Sequence, residues 1–238
     1  MFNPTIARIT LRGLIGRRRF LLLLPLPALM IGLAVLCEGL NVQASDWVPP
    51  VVAALGLAVV LPILALVIGA GVLGSEIDDG TVAHIIAKPI SRAEIILSKL
   101  VVAFALTAVT TGVPLGLVGL IAGEPQLALG LVVGAVLGSA VYSAAFMALS
   151  VVSRQPVLIG LAYVLVWEST LTNLLTGARV LSIYQYVLSV VDRIDDSSLV
   201  TANVSLPVSL AMAFIFTAGF TLLAIDRLRS FAVVGETS

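Results

Sequence analysis

The chain has 238 residues, 60% of them hydrophobic and only 11% charged, with a mean hydropathy of +1.16. Soluble domains are roughly 45–50% apolar and about 25% charged, so an ordinary water-facing surface is excluded and lipid must be the solvent for most of the chain. The formal net charge is zero, and the single cysteine, Cys37, excludes an intrachain disulfide and a cysteine metal cluster.

Residues 1–19 come first. Phe2, Ile6 and Ile9 fall near one helical face, while Arg8, Arg12 and Arg19 fall near another. The pattern predicts an amphipathic helix at the membrane interface, its arginines beside anionic headgroups. A plain basic topology anchor is the alternative. Five runs without Asp, Glu, Lys or Arg then follow, at 20–37, 47–75, 100–123, 125–153 and 197–225. A sixth, near 156–174, is broken by Glu168. A helix crossing the hydrocarbon core needs about 20 apolar residues. The reading is therefore an all-α polytopic membrane protein with six transmembrane helices in residues 20–225 and a tail at 226–238. Runs this long and continuous exclude a barrel. "GRRRFLLLL" resembles a twin-arginine signal and Val42-Gln43-Ala44 a cleavage site, but an uncleaved first span is the expectation.

The fourth span contains Gly130, Gly134 and Gly138, spaced so that two helices can approach closely in lipid, within a subunit or between subunits. Pro25, Pro27, Pro62 and Pro114 fall inside spans, where neighbouring helices can re-satisfy the freed backbone groups. The last outer loop, 175–205, contains "RVLSIYQYVLSVVDRIDDSS". Its apolar spacing predicts an interfacial helix on the outer face after a re-entrant turn near Leu171–Gly177. The acidic residues Asp192, Asp195 and Asp196 read as a solvated loop.

Of the 13 Lys and Arg residues, eleven fall on one side of this topology: Arg8, Arg12, Arg17, Arg18, Arg19, Lys88, Arg92, Lys99, Arg154, Arg227 and Arg229. Only Arg179 and Arg193 fall on the other. The positive-inside rule then places both termini in the cytoplasm, with the polar stretch 75–94, "SEIDDGTVAHIIAKPISRAE". There Thr81 can cap a short helix, "VAHIIAK", that Pro89 stops. Ser91-Arg92-Ala93-Glu94 matches a capping box that starts span three. A helix so short is not stable alone in water, and its Val82, Ile85 and Ile86 need a cover. Lipid headgroups or a groove on another protein would supply one. His84, the only histidine, reads as a partner contact or a solvated side chain.

"E-I-D-D-G-T-V" followed by "K-P-I-S-R-A-E-I-I-L-S-K" resembles the signature of ABC-2-type permeases, the membrane subunits of one class of ATP-binding-cassette exporters. The resemblance falls on Glu76, Gly80, Thr81, Pro89, Ser91, Arg92 and Lys99. "YVLVWESTLTNLL" also resembles span five of bacterial members close to the nitrous-oxide-reductase maturation permease. The resemblance implies a type 2 exporter fold with a coupling helix at about 76–90, docked in a cleft of a separate ATPase subunit. It implies ATPase-coupling roles for Glu76, Asp79, Gly80, Thr81, His84, Ile85, Pro89, Arg92 and Lys99. It also implies ATP and Mg2+ on the ATPase, no cofactor here, and two permease copies or homologues around a central path in a bacterial inner membrane. The chain has no G-x-x-x-x-G-K-[ST] phosphate loop, so the ATPase is expected on another polypeptide, and no nucleic acid is expected as a partner.

Glu168 is the one acid well inside an apolar run, and such residues mark functional sites by default. With Trp167 and Asn173 it is a candidate for a substrate path or outer gate. It would bind a cationic substrate, pair with Arg179, or simply hydrogen-bond to backbone at the mouth of a bent helix. The function expected is export of an amphipathic molecule such as a drug or lipid. The alternatives are a mechanotransmission scaffold for an extracytoplasmic partner and an ion-driven transporter, which would show more buried charge near the midplane. A six-span serine protease fits poorly, because it needs a histidine within the membrane.

Overall fold

The computed structural model describes residues 4–15, 24–78, 91–171, 176–195, 197 and 199–234, and these are helical or loop with no strand. Helix α1 is Pro4–Ile15 and α2 is Pro25–Gly39. Helix α3 runs from Ala44–Val48 through the π-helical turns of Pro49–Val60 into Leu61–Asp78. Pro62, which lacks an N–H and crowds the turn before it, sits where α geometry resumes. Helices α4 (Arg92–Ile121) and α5 (Pro125–Val152) form a long antiparallel pair. Helix α6 is Pro156–Ala162 continued by the π-helical Tyr163–Leu171. A 3-10 turn, Thr176–Leu181, leads to α7 (Ile183–Ile194), and α8 is Leu206–Val234.

Among the described residues, four helical stretches are long and apolar enough to cross a membrane: Ala44–Val72, Arg92–Ile121, Pro125–Val152 and Leu206–Leu228. Pro25–Gly39 and Pro156–Glu168 are apolar but shorter. At 1.5 Å per residue a 15-residue helix covers only about 22 Å of a roughly 30 Å core. The residues flanking these two, 16–23 and 172–175, lie outside the described residues.

Helix α5 is the hub, packing against α3, α4, α7 and α8. Without a hydrophobic drive between helices in lipid, close van der Waals approach holds the bundle, and glycine permits it. Gly112, Gly116 and Gly119 of α4 lie against Ala135, Val132 and Ala128 of α5. At Gly119 a methyl group would sit 2.5 Å from the Ala128 Cα. The Gly130, Gly134 and Gly138 stripe packs within the subunit. Gly130 meets Val191, Gly134 meets Val187 and Val191, and Gly138 meets Val187 and Leu61.

Helix α7 differs from the interfacial helix expected in the outer loop. Ile183, Gln185, Tyr186, Val187, Leu188, Ser189, Val190 and Val191 are all buried. The glycine stripe lets it sink onto α5, and Phe216 of α8 stacks edge-on against Tyr186. Helix α1 lies against the bundle along one ridge. The face toward the bundle is Ile6, Thr10 and Leu14, whereas Ile9 is 66% exposed beside Arg8. An i, i+4, i+8 ridge meets the protein, so Ile9 is left facing outward with the arginine.

Clashes at Gly119 predict that Gly119→Ala lowers the melting temperature of the purified protein in detergent, by the several degrees that an overpacking cost of about 1–3 kcal/mol produces. Gly219, with nothing within 4 Å of an added methyl group, is the control. Gly219→Ala should leave the melting temperature unchanged or raise it slightly.

Candidate functional site

The bundle has two ends. At the basic end Ile6 of α1, Ile95 and Ile96 of α4, Met147 and Val151 of α5, and Ala224 and Leu228 of α8 form one apolar cluster. Leu14 of α1 reaches Gly71 of α3. The start of α1, the finish of α3, the start of α4 and the last turns of α8 are thereby gathered at one end. The segment between α3 and α4 leaves and returns there.

Local chemistry fixes both borders of that segment. Helix α4 begins where the capping box places it: Ser91 is the N-cap, and its Oγ accepts the Glu94 N–H at 3.2 Å. Arg92 is the first residue of the helix and is half-buried. Two turns farther, Lys99 is only 1% exposed, and its ammonium donates to the Val72 carbonyl of α3 at 3.0 Å. A buried ammonium needs such partners, and this one ties the helix entering the segment to the helix leaving it. Glu76 falls in the last turn of α3, which continues to Asp78 rather than ending near Ser75. Asp79, Gly80, Thr81, His84, Ile85 and Pro89 lie outside the described residues.

Away from that end, against the middle of α5, is Glu168, 5% exposed. Its Oε1 accepts from the Tyr142 hydroxyl at 3.3 Å, the Tyr163 hydroxyl at 3.0 Å and the Ile183 N–H at 3.0 Å. Its Oε2 accepts from the Ser182 hydroxyl at 2.5 Å and the Tyr184 N–H at 3.4 Å. Ser182 caps α7 and in turn accepts the Gln185 N–H at 3.3 Å. The carboxylate therefore sits on the first turn of α7, where unpaired N–H groups and the helix dipole favour negative charge. Trp167 beside it donates to the Leu181 carbonyl at 3.4 Å. Arg179 donates to the Asn203 side chain at 3.2 Å. Asn173 lies outside the described residues.

The tyrosine and serine donors around Glu168 were not singled out in the sequence. One signal for them exists: Ser182-Ile183-Tyr184-Gln185 has the S-x-x-Q spacing of a capping box, which marks a helix N-terminus fourteen residues after the acid. Tyr142 carries no such mark, because only the fold brings α5 to α6. Among the described residues there is no group of three or more His, Cys, Asp or Glu that could hold a metal ion.

Residues 17–177, more than half of the chain, match the family described as ABC-2 family transporter protein. A comparison with curated proteins found no match. The matched span starts just after α1 in the sequence, takes in α2 to α6 and includes both borders of the polar segment. With its apolar helices and this match, the chain belongs to the ABC-2 family of transporter proteins, multi-pass membrane permeases without an ATPase site of their own that work with an ABC ATPase subunit.

Proposed function

We propose that the chain is the permease subunit of an ABC exporter in a bacterial inner membrane, with six spans, both termini cytoplasmic and a second permease copy or homologue beside it. ATP and Mg2+ bind the partner ATPase, and residues 76–90 take up its motion. The substrate class is an amphipathic molecule such as a drug or lipid. One observation carries this reading within the family: a single apolar cluster and the Lys99 tie join the borders of the polar segment to α1, α5 and α8 at the basic end. A push delivered at that segment enters packed helices, not a loose loop. Rocking of such packed elements is the usual way motion passes through a transporter.

The purified chain alone should show no ATPase activity and should gain it with its cognate ATPase subunit. Glu76→Arg or Gly80→Pro should abolish that gain or separate hydrolysis from transport, and normal coupled activity in both variants would sink the assignment. Lys99→Met keeps the length of the side chain but leaves the Val72 carbonyl without its ammonium donor. The ATPase chain should still co-purify with this variant, while the stimulation of hydrolysis falls several-fold.

Orientation is tested in a Cys37→Ala background with a membrane-impermeant maleimide. Exposed Thr201 and exposed Gln155 lie in connections at opposite ends of the bundle. Thr201→Cys should be labelled in intact cells, and Gln155→Cys only after the membrane is opened. The reverse pattern would place the polar segment outside.

A further inference from the structure

Glu168 accepts five hydrogen bonds drawn from three elements: α5 through Tyr142, α6 through Tyr163, and the first turn of α7 through Ser182, Ile183 and Tyr184. Few side chains in the bundle can substitute for it. A carboxylate offers two oxygens that only accept, with room for about four lone-pair contacts. An amide in its place would turn an N–H2 group toward at least one backbone N–H that cannot rotate away. Bonds to an ionised group in a site shielded from water are also the strong ones. The other face of α7 is seated on Gly130, Gly134 and Gly138, where added methyl groups would meet Val187, Val191 or the Val191 carbonyl at 2.7–3.4 Å. Helix α7 is thus gripped at its N-terminus by a buried acid and along its length by a glycine groove.

We infer that Glu168 is a positioning residue that locks the start of α7 to α6 and to the middle of α5, so that these three elements move as one rigid body when the transporter cycles. Resting on the permease reading above, this assigns a role to the contact: α7 is carried by the spans, not hinged away from them as a separate lid. Opening at the outer side must then come from the relative movement of whole bundles. Glu168 remains in its cage throughout and does not visit a passing cation.

The test uses the full complex of permease and ATPase in lipid nanodiscs, with Cys37→Ala and a reporter at Ser189→Cys. Ser189 is 3% exposed in the middle of α7, and the replacement is close in size. The reporter should resist a membrane-impermeant maleimide both without nucleotide and in the vanadate-trapped state. Adding Glu168→Gln should raise the labelling rate about tenfold or more, the change in local opening expected when a charged hydrogen-bond partner is lost. Tyr142→Phe, which removes one donor and leaves the α7 contacts, should raise it less. Labelling that rises on vanadate trapping with Glu168 intact would show a hinged lid and overturn the inference. So would Glu168→Gln labelling at the parent rate. Co-purification and stimulation of the ATPase are read on the same samples. If these fail, the permease reading fails, while the Glu168→Gln comparison on the permease alone still decides the lock.

Discussion

Lipid offers no hydrogen bonds, so each polar group that the fold draws into the bundle must find its partner within the protein. That one demand shapes two places in the molecule. At the basic end an ammonium reaches a helix carbonyl, Lys99 to Val72. Against the middle of α5 a carboxylate collects the hydroxyls of two tyrosines and a serine and the first N–H groups of α7. Between them the hydroxyls mostly turn back on their own helices: Thr110 to Leu106, Thr111 to Thr107, Thr217 to Ala213 and Thr221 to Thr217. Polar ties across helices are thus few, the Ser143 contact with Thr107 at 3.5 Å among them, and the rest of the bundle is held by shape.

Shape there means glycine. Two stripes on two helices do different work. Gly112, Gly116 and Gly119 draw α4 onto α5, and Gly130, Gly134 and Gly138 open the opposite side of α5 to α7. Helix α5 is consequently packed on several sides, while α8 leaves most of its surface outward. In the proposed coupling, the stiff path away from the ATPase is the α4 and α5 pair, with the Lys99 tie at its basic end and the Glu168 cage against the middle of α5.

Much of this was legible in the sequence because lipid makes composition decisive. The gaps between charges mark four of the long helical stretches, and Ser91 with Glu94 marks the start of α4 within a residue. The apolar spacing in 175–205 announces a helix, and Ile183–Ile194 is one. Its burial was not legible. Periodicity reports that a helix has an apolar face, not whether lipid or α5 covers it, and the groove that takes α7 lies some fifty residues earlier in the chain. The same limit applies to Glu168. An acid in an apolar run announces a site, yet its donors come from Tyr142 and Ser182, on either side of it in the sequence.

The central claim is that the segment between α3 and α4 is where an ATPase subunit grips this chain. A photo-crosslinking amino acid placed at His84, activated in intact membranes that contain both proteins, tests it most directly. The account predicts a covalent adduct between this chain and the nucleotide-binding chain, lost when residues 79–90 are replaced by a flexible glycine-serine linker of equal length. Adducts to lipid alone, with the ATPase present and folded, would contradict it.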